Sequence, residues 1–193
     1  MTGQPPDPRH LPPYIQTLRL LMRPLGPGDG PALFAAAQES REHVYPFMPV
    51  IFNLQSVEEA ERLARRAWID WWAGRAYRMA LWRRKDGALV GTAALHHGRW
   101  DVPRFELGCW IHAHHAGHGF ATEATRALIA LAFEVLGVQR LEIRCDHRNL
   151  ASQRVAEKLG FTFEGRLRAH NRAADGVLVD EMVYALLADE TIP

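Results

Sequence analysis

Residues 116–128 read AGHGFATEATRAL, in which two glycines flanking one histidine stand directly before a helical pattern. Ahead of them, RFELGCWIH (104–112) alternates Phe105, Leu107, Cys109 and Ile111 against Glu106, Gly108 and Trp110, the period of a strand. Behind them, Ala121, Ala124, Leu128, Leu131 and Val135 follow one helical stripe, closed by Gly137 as a C-cap. A strand thus hands over to a helix through a turn that glycine enters without steric cost. Successive backbone N–H groups in such a turn can converge on an anion, reinforced by the free N–H groups and positive dipole end of the helix. The same glycines also suit a tight crossing with no ligand, and spacing alone leaves both readings open. Two phosphate motifs are excluded. No Lys follows Gly119 as a Walker loop needs, and Thr122 stands where a dinucleotide fingerprint has its third glycine.

A chain of 193 residues suits one domain. A proline-rich arm (1–17) precedes a domain expected over 18–190. LRLLMRPL (18–25) has strand length, and PALFAAAQES reads as a short helix. REHVYPFMPVIFNLQ (41–55) mixes aromatics with two prolines and is expected to be a substrate loop carrying Tyr45 and Phe47. Ser56 and Glu59 form a capping box for a helix to Gly74 with Leu63, Ala67 and Trp71 on one stripe. Tyr77, Met79 and Leu81 alternate up to a KDG turn, and ALVGTAALHH completes a hairpin, with GRWDVP as the next connection. LEIRCD (141–146), a helix ending at Gly160, and two strands around AADG complete an order of strand, helix, strand, helix, strand, strand. With 23 Lys plus Arg against 22 Asp plus Glu, the charge footprint of a nucleic-acid binder is missing. Two cysteines, a polar opening and no membrane-length apolar run lead us to expect a cytoplasmic protein with no membrane partner.

ELGCWIHAHHAGHGFATEATRALIALAF, LEIRCD and HRNLASQRVAEKLGFTFEG together resemble the GCN5-related N-acetyltransferase (GNAT) family, in particular its ribosomal-protein N-terminal acetyltransferase (RimJ/RimL-like) branch. TLRLLMRPLGPGD is similar to that family's opening strand and DGALVGTAAL to its central hairpin. The resemblance implies an α/β (α+β) fold: a mixed, mostly antiparallel twisted sheet, splayed where acetyl-CoA binds, with flanking helices. It implies that Trp110, Ile111 and His112 offer backbone groups to the pantetheine arm. It implies too that Ala116, Gly117, His118, Gly119, Phe120, Ala121 and Thr122 hold the pyrophosphate by main-chain N–H groups. Asn149 and Ser152 match the family's N-x-x-S, where Asn contacts the cofactor and Ser lies near its sulfur; a plain helix cap also explains Asn149. The sequence departs from the motif at His114 and Ala116, where relatives carry Gln or Arg and a basic residue. His115 or His118 supplies part of that charge when protonated.

Acetyl transfer from a thioester requires a neutral amine, an oxyanion donor and a leaving thiolate. At pH 7 an α-amine (pKa about 8) is neutral roughly several hundred times more often than a lysine (about 10.4), so it demands less of a base. Glu106 matches the acidic residue that related enzymes use, often through water, while a solvated carboxylate paired with Arg104 is the plainer alternative. Ser152 is the candidate hydrogen-bond donor to the sulfur, because many relatives use a tyrosine there and Tyr184 reads as strand core. His97 and Trp100 line the acceptor side or simply cover the sheet. HAHHAGH lacks an acidic or cysteine partner at a recognised zinc spacing, so no metal is expected. The expected activity is acetyl-CoA-dependent N-acetylation of a protein N-terminal α-amine. A small amine (antibiotic, polyamine or amino acid) is the alternative acceptor, and a non-catalytic acyl-CoA-binding module a third reading that Glu106 argues against. Relatives in the branch are commonly dimers, which makes a homodimer the expected assembly.

Overall fold

In the computed structural model, residues 4–48 and 53–190 are described; 49–52, part of the expected substrate loop, lie outside them. Strands β1 (Ile15–Gln16), β2 (Leu20–Pro24), β3 (Tyr77–Arg83), β4 (Leu89–Arg99), β5 (Arg104–Ile111), β6 (Arg140–Asp146), β7 (Thr162–Arg172) and β8 (Leu178–Leu187) form one sheet, ordered β1-β2-β3-β4-β5-β6-β8-β7. Every neighbouring pair is antiparallel except β5 and β6. A parallel pair cannot be joined by a tight turn, and the glycine stretch with helix α4 (Phe120–Ala130) supplies the crossover. The other helices are α1 (Gly30–Glu39), α2 (Arg41–Val44), α3 (Val57–Trp72) and α5 (Leu150–Lys158). None is long and apolar enough to cross a membrane among the described residues.

Strand alternation sends apolar side chains to both faces of the sheet. On one face Leu20, Met22, Met79, Leu81, Phe105 and Leu107 pack with Phe120, Ala124 and Leu128 of α4 and Ala156 of α5. On the other, Leu25, Ala80, Leu89 and Trp110 pack with Leu33 and Ala37 of α1 and with Ala60, Ala64 and Ala67 of α3. The expected cap of α3 is present: Ser56 Oγ accepts from the Glu59 N–H at 3.3 Å. The Glu59 carboxylate returns to the N–H of Gln55 at 2.8 Å, one residue before the position a reciprocal box would use.

Several boundaries differ from the sequence expectation. The sheet begins inside the proline-rich arm, because Thr17 turns the chain sharply, its Oγ1 accepting from Leu20 N at 3.0 Å, and lays Ile15–Gln16 against β2. The segment expected as a loop from 41 starts with the helical turn α2, whose Val44 is buried. Val135, expected on the buried stripe, is 43% exposed: Leu131–Val135 is a π-helical turn, closed by Leu136 N to Leu131 O at 3.0 Å. The wider turn rotates Val135 outward and brings Leu136 into the core.

Where α1 and α3 no longer cover the sheet, β6 carries a buried carboxylate, Glu142. It accepts from Arg104 Nη1 at 3.1 Å, Arg140 Nε at 2.9 Å and Arg144 Nε at 2.9 Å. Burial alone would raise its pKa, but hydrogen bonds from Arg140 and Arg144 outweigh that and hold it below the ordinary 4.5. Removing the charge takes the carboxylate from Arg104 and leaves Arg140 and Arg144 with Glu164 and Glu181 alone, so Glu142→Gln should lower the free energy of unfolding at neutral pH by about 2 kcal/mol in denaturant titrations. A depressed folded pKa means that this stabilisation is complete above the unfolded value and lost as pH falls through the folded one. The gap between wild type and variant should therefore narrow as pH drops below 4.5.

Candidate active site

Strands β5 and β6 stay paired only through Arg104–Arg140, Phe105–Leu141 and Glu106–Glu142. Beyond that point β5 follows β4 to Ile111 and β6 follows β8 to Asp146, so the two part. A cavity of about 510 Å³ opens there, with Leu107, Cys109 and Ile111 on one wall and Ile143 and Val155 on the other. The N–H of His112 donates to Val90 O at 2.8 Å, and a Cβ placed on Gly91 would lie 2.1 Å from the Trp110 carbonyl oxygen. Even-numbered residues of this strand thus spend their backbone groups on β4. The N–H and C=O groups of Cys109 and Ile111 consequently face the opening.

The glycine turn forms the rim. Gly117 (φ 78°) and Gly119 (φ 81°) both occupy the left-handed region, and Gly119 begins α4 with no side-chain cap. The N–H groups of the first turn have no acceptor within the helix, and Phe120, Ala121 and Thr122 line the cavity along with Ala116, Gly117 and Gly119. Glu123 ties the turn to the first strands, accepting from Thr17 Oγ1 at 2.6 Å, Arg19 N at 2.8 Å and Arg19 Nε at 2.7 Å. Arg19 also donates to His118 O at 2.8 Å and stacks over Phe120. On the opposite rim, Asn149 caps α5 by accepting from Ser152 N at 3.1 Å, and Asn149, Ser152, Arg154 and Lys158 line the cavity.

The three cations Arg19, Arg154 and Lys158 were not singled out in the sequence, although the i,i+4 spacing of the last two on a capped helix was a usable signal. Arg154 and Lys158 line the cavity, whereas Arg19 is held by Glu123 and the His118 carbonyl beside the glycine turn. The buried Oγ1 of Thr125, on the cavity wall, has no hydrogen-bond partner among the described residues. An uncapped helix start, two cations, an orphan hydroxyl and an apolar slot suit a polyanion with a slender arm such as acetyl-CoA.

Other expected residues lie apart from this wall. Glu106 is the last β5 residue paired with β6, at the vertex of the opening, with Oε2 3.0 Å from His97 Nδ1. Trp100 packs edge-on against Phe105 and donates to Gly74 O at 2.9 Å, away from the cavity. His112 is buried, its Nδ1 accepting from His114 N at 3.1 Å and its Nε2 3.0 Å from Glu39 Oε2. His118 is occupied with Ala116 O at 2.9 Å. His115 does reach the wall, where burial and neighbouring cations lower its pKa and favour the neutral ring. Tyr45 borders a second hollow with Arg148 and Asp175, and Phe47 lines both spaces. Burial pushes the thiols of Cys109 and Cys145 up to about 12 and about 11, which keeps them protonated and poor nucleophiles.

Comparison with known proteins identifies the family and the fold. The GNAT acetyltransferase domain model matches residues 19–162. The N-acetyltransferase YoaA of Bacillus subtilis (strain 168) is 29% identical, over 91% of this chain and 97% of its own. A Vibrio cholerae structure described as "a putative ribosomal-protein-serine acetyltransferase" shares 27% identity at a TM-score of 0.75, covering 90% of this chain and 97% of that one. RimL, a ribosomal L7/L12 α-N-protein acetyltransferase solved with coenzyme A, shares the fold at a TM-score of 0.85 and 19% identity, covering 90% and 97%. If the rim cations meet phosphates, Arg154→Ala and Lys158→Ala should each weaken acetyl-CoA binding by about 5- to 10-fold in calorimetry, less so at high salt. Gly119→Ala should weaken it by about 10-fold or more while costing only about 1 kcal/mol of stability, since the left-handed turn is strained and not crowded. With its family model spanning residues 19–162, the chain belongs to the GNAT acetyltransferase family and is an acetyl-CoA-dependent N-acyltransferase.

Proposed function

We propose that the acceptor is the α-amine of a protein N-terminus and that Glu106 is the base that takes its proton, directly or through water. One observation carries the assignment: Glu106 is the last β5 residue paired with β6, so its largely buried carboxylate sits at the point where the two strands begin to part. A carboxylate is a weak base and suits an amine whose pKa is about 8 better than one near 10.4. The Ile111 N–H, turned toward the opening, is placed to polarise the thioester carbonyl, and Ser152 at the start of α5 to donate a hydrogen bond to the departing sulfur.

The hollow beside Tyr45, Phe47, Arg148 and Asp175 adjoins the cofactor cavity through Phe47 and offers an acceptor chain both an aromatic wall and a carboxylate for its amine. The Vibrio cholerae relative named for a ribosomal protein serine supports a protein acceptor over a small amine. With such an acceptor go the cytoplasmic location and the homodimer expected from the resemblance.

A mass-spectrometric screen of peptides with free Ala or Ser N-termini against polyamines and amino acids should show acetylation of the peptides at the α-amine; acetylation confined to the small amines would refute the acceptor assignment. Glu106→Gln should lower kcat by about 100-fold or more at pH 7 with acetyl-CoA binding intact, and the deficit should shrink as rising pH deprotonates the amine without help. An unchanged rate across that range would remove Glu106 from the role. Ser152→Ala should cost about 10-fold in kcat, the scale of one lost hydrogen bond to a charge-bearing atom.

A further inference from the structure

Beside the cavity, β4 breaks its register with β5 between His96 and Arg99, and His97 stands at φ 49°, a conformation unusual for a residue with a side chain. Consecutive strand residues ordinarily point to opposite faces. Here the irregularity turns the His97 ring to the side of His96, the two rings meeting edge to face with centroids 4.5 Å apart. Their Nδ1 atoms are 3.2 Å apart, and His97 Nδ1 is 3.0 Å from Glu106 Oε2. One ligand atom from each of the three residues lies within 4.8 Å of the other two. Gly108 makes room for this, since a Cβ there would stand 2.8 Å from His96 Nε2.

A proton on His97 Nδ1 can at best be shared between Glu106 and the Nδ1 lone pair of His96, one N–H serving two acceptors, which leaves neither with a full hydrogen bond. A cation at the centre would accept a lone pair from all three groups. Zinc bonds to imidazole nitrogen and carboxylate oxygen at about 2.0–2.2 Å, which sets the edges of its tetrahedron at about 3.3–3.6 Å, within a few tenths of an ångström of the 3.2 and 3.0 Å separations of His97 Nδ1 from His96 and Glu106. The contrast with the other histidine–carboxylate group is instructive. In Glu39–His112–His114, His112 Nδ1 accepts from a backbone N–H, so its Nε2 donates cleanly to Glu39, and His114 Nδ1 is 3.8 Å away.

We propose that His96 Nδ1, His97 Nδ1 and Glu106 form a site for zinc, or a like imidazole-preferring divalent transition metal, with its outer position open to water. Because the site claims Glu106, zinc would withdraw the base and switch acetyl transfer off, a consequence that rests on the role given to Glu106 above. The metal site itself does not depend on that role.

Calorimetry of the metal-stripped full chain with zinc chloride, and the visible absorption of its cobalt(II) form, test the site without reference to activity. One zinc per chain and cobalt bands of tetrahedral intensity are expected. His97→Asn, which tolerates the left-handed backbone, and His97→Ala should each weaken zinc binding by about 100-fold or more, whereas His114→Ala should leave it unchanged. No saturable zinc binding, octahedral cobalt bands, or loss of binding in His114→Ala with retention in the His97 variants would overturn the proposal. In steady-state assays zinc should slow acetyl transfer and a chelator restore it. Zinc that binds through His97 without slowing the reaction would uphold the metal site and remove Glu106 as the base.

Discussion

The functional architecture hangs on a parallel strand pairing that stops after three residues. Glu106 and Glu142 are the last partners on β5 and β6, and from there each strand keeps faith with its antiparallel neighbour on the other side. Antiparallel ladders are slightly more stable per residue than parallel ones, and sheet twist rotates the two halves away from each other. The opening leaves the backbone groups of Cys109 and Ile111 without a strand to pair with. In most proteins such an edge is a liability to be covered. Under the proposed reading a slender acyl-thioester arm would cover it, and the unpaired backbone would be its recognition element.

Everything around the opening reinforces that geometry. The glycine turn must leave β5 and enter α4 within a few residues, and it does so with two left-handed glycines and an uncapped helix start aimed at the cavity. Glu123 and Arg19 lock that turn to the first strands, joining the N-terminal end of the chain to the cofactor rim. At the vertex, the Glu142 arginine cluster holds β6 in place beside Glu106. A carboxylate at the point of divergence, flanked by two histidines forced to one side, is chemically versatile: it can take a proton or join a metal site, but not both at once.

Much of the fold was legible because its signals were local. The alternation of Phe105, Leu107 and Cys109, the caps at Ser56 and Asn149, and the glycines at 117 and 119 each reflect backbone rules that act within a turn or two. Val135 was misplaced because the π-helical turn that rotates it outward has no periodic signature; it arises from how Leu136 is drawn into the core. The strand at Ile15–Gln16 was missed because two residues carry no period at all. Arg154 and Lys158 escaped notice for a different reason, since surface cations are common and only their convergence on one cavity distinguishes them.

By itself the sequence determined the order of elements from β5 onward, the glycine turn that opens α4, the capping chemistry weighed at Asn149 and the family resemblance that the domain match bears out. These follow from φ preferences, capping chemistry and short-range periodicity, all written in neighbouring residues. Only the tertiary structure decided where β5 and β6 part, which backbone groups are thereby left free, and that the ring of His97 turns back toward His96 and Glu106. Those are outcomes of competition between strands distant in the chain and of a local register break in β4. Such competition is settled by packing and twist over the whole sheet, and no window of sequence contains it.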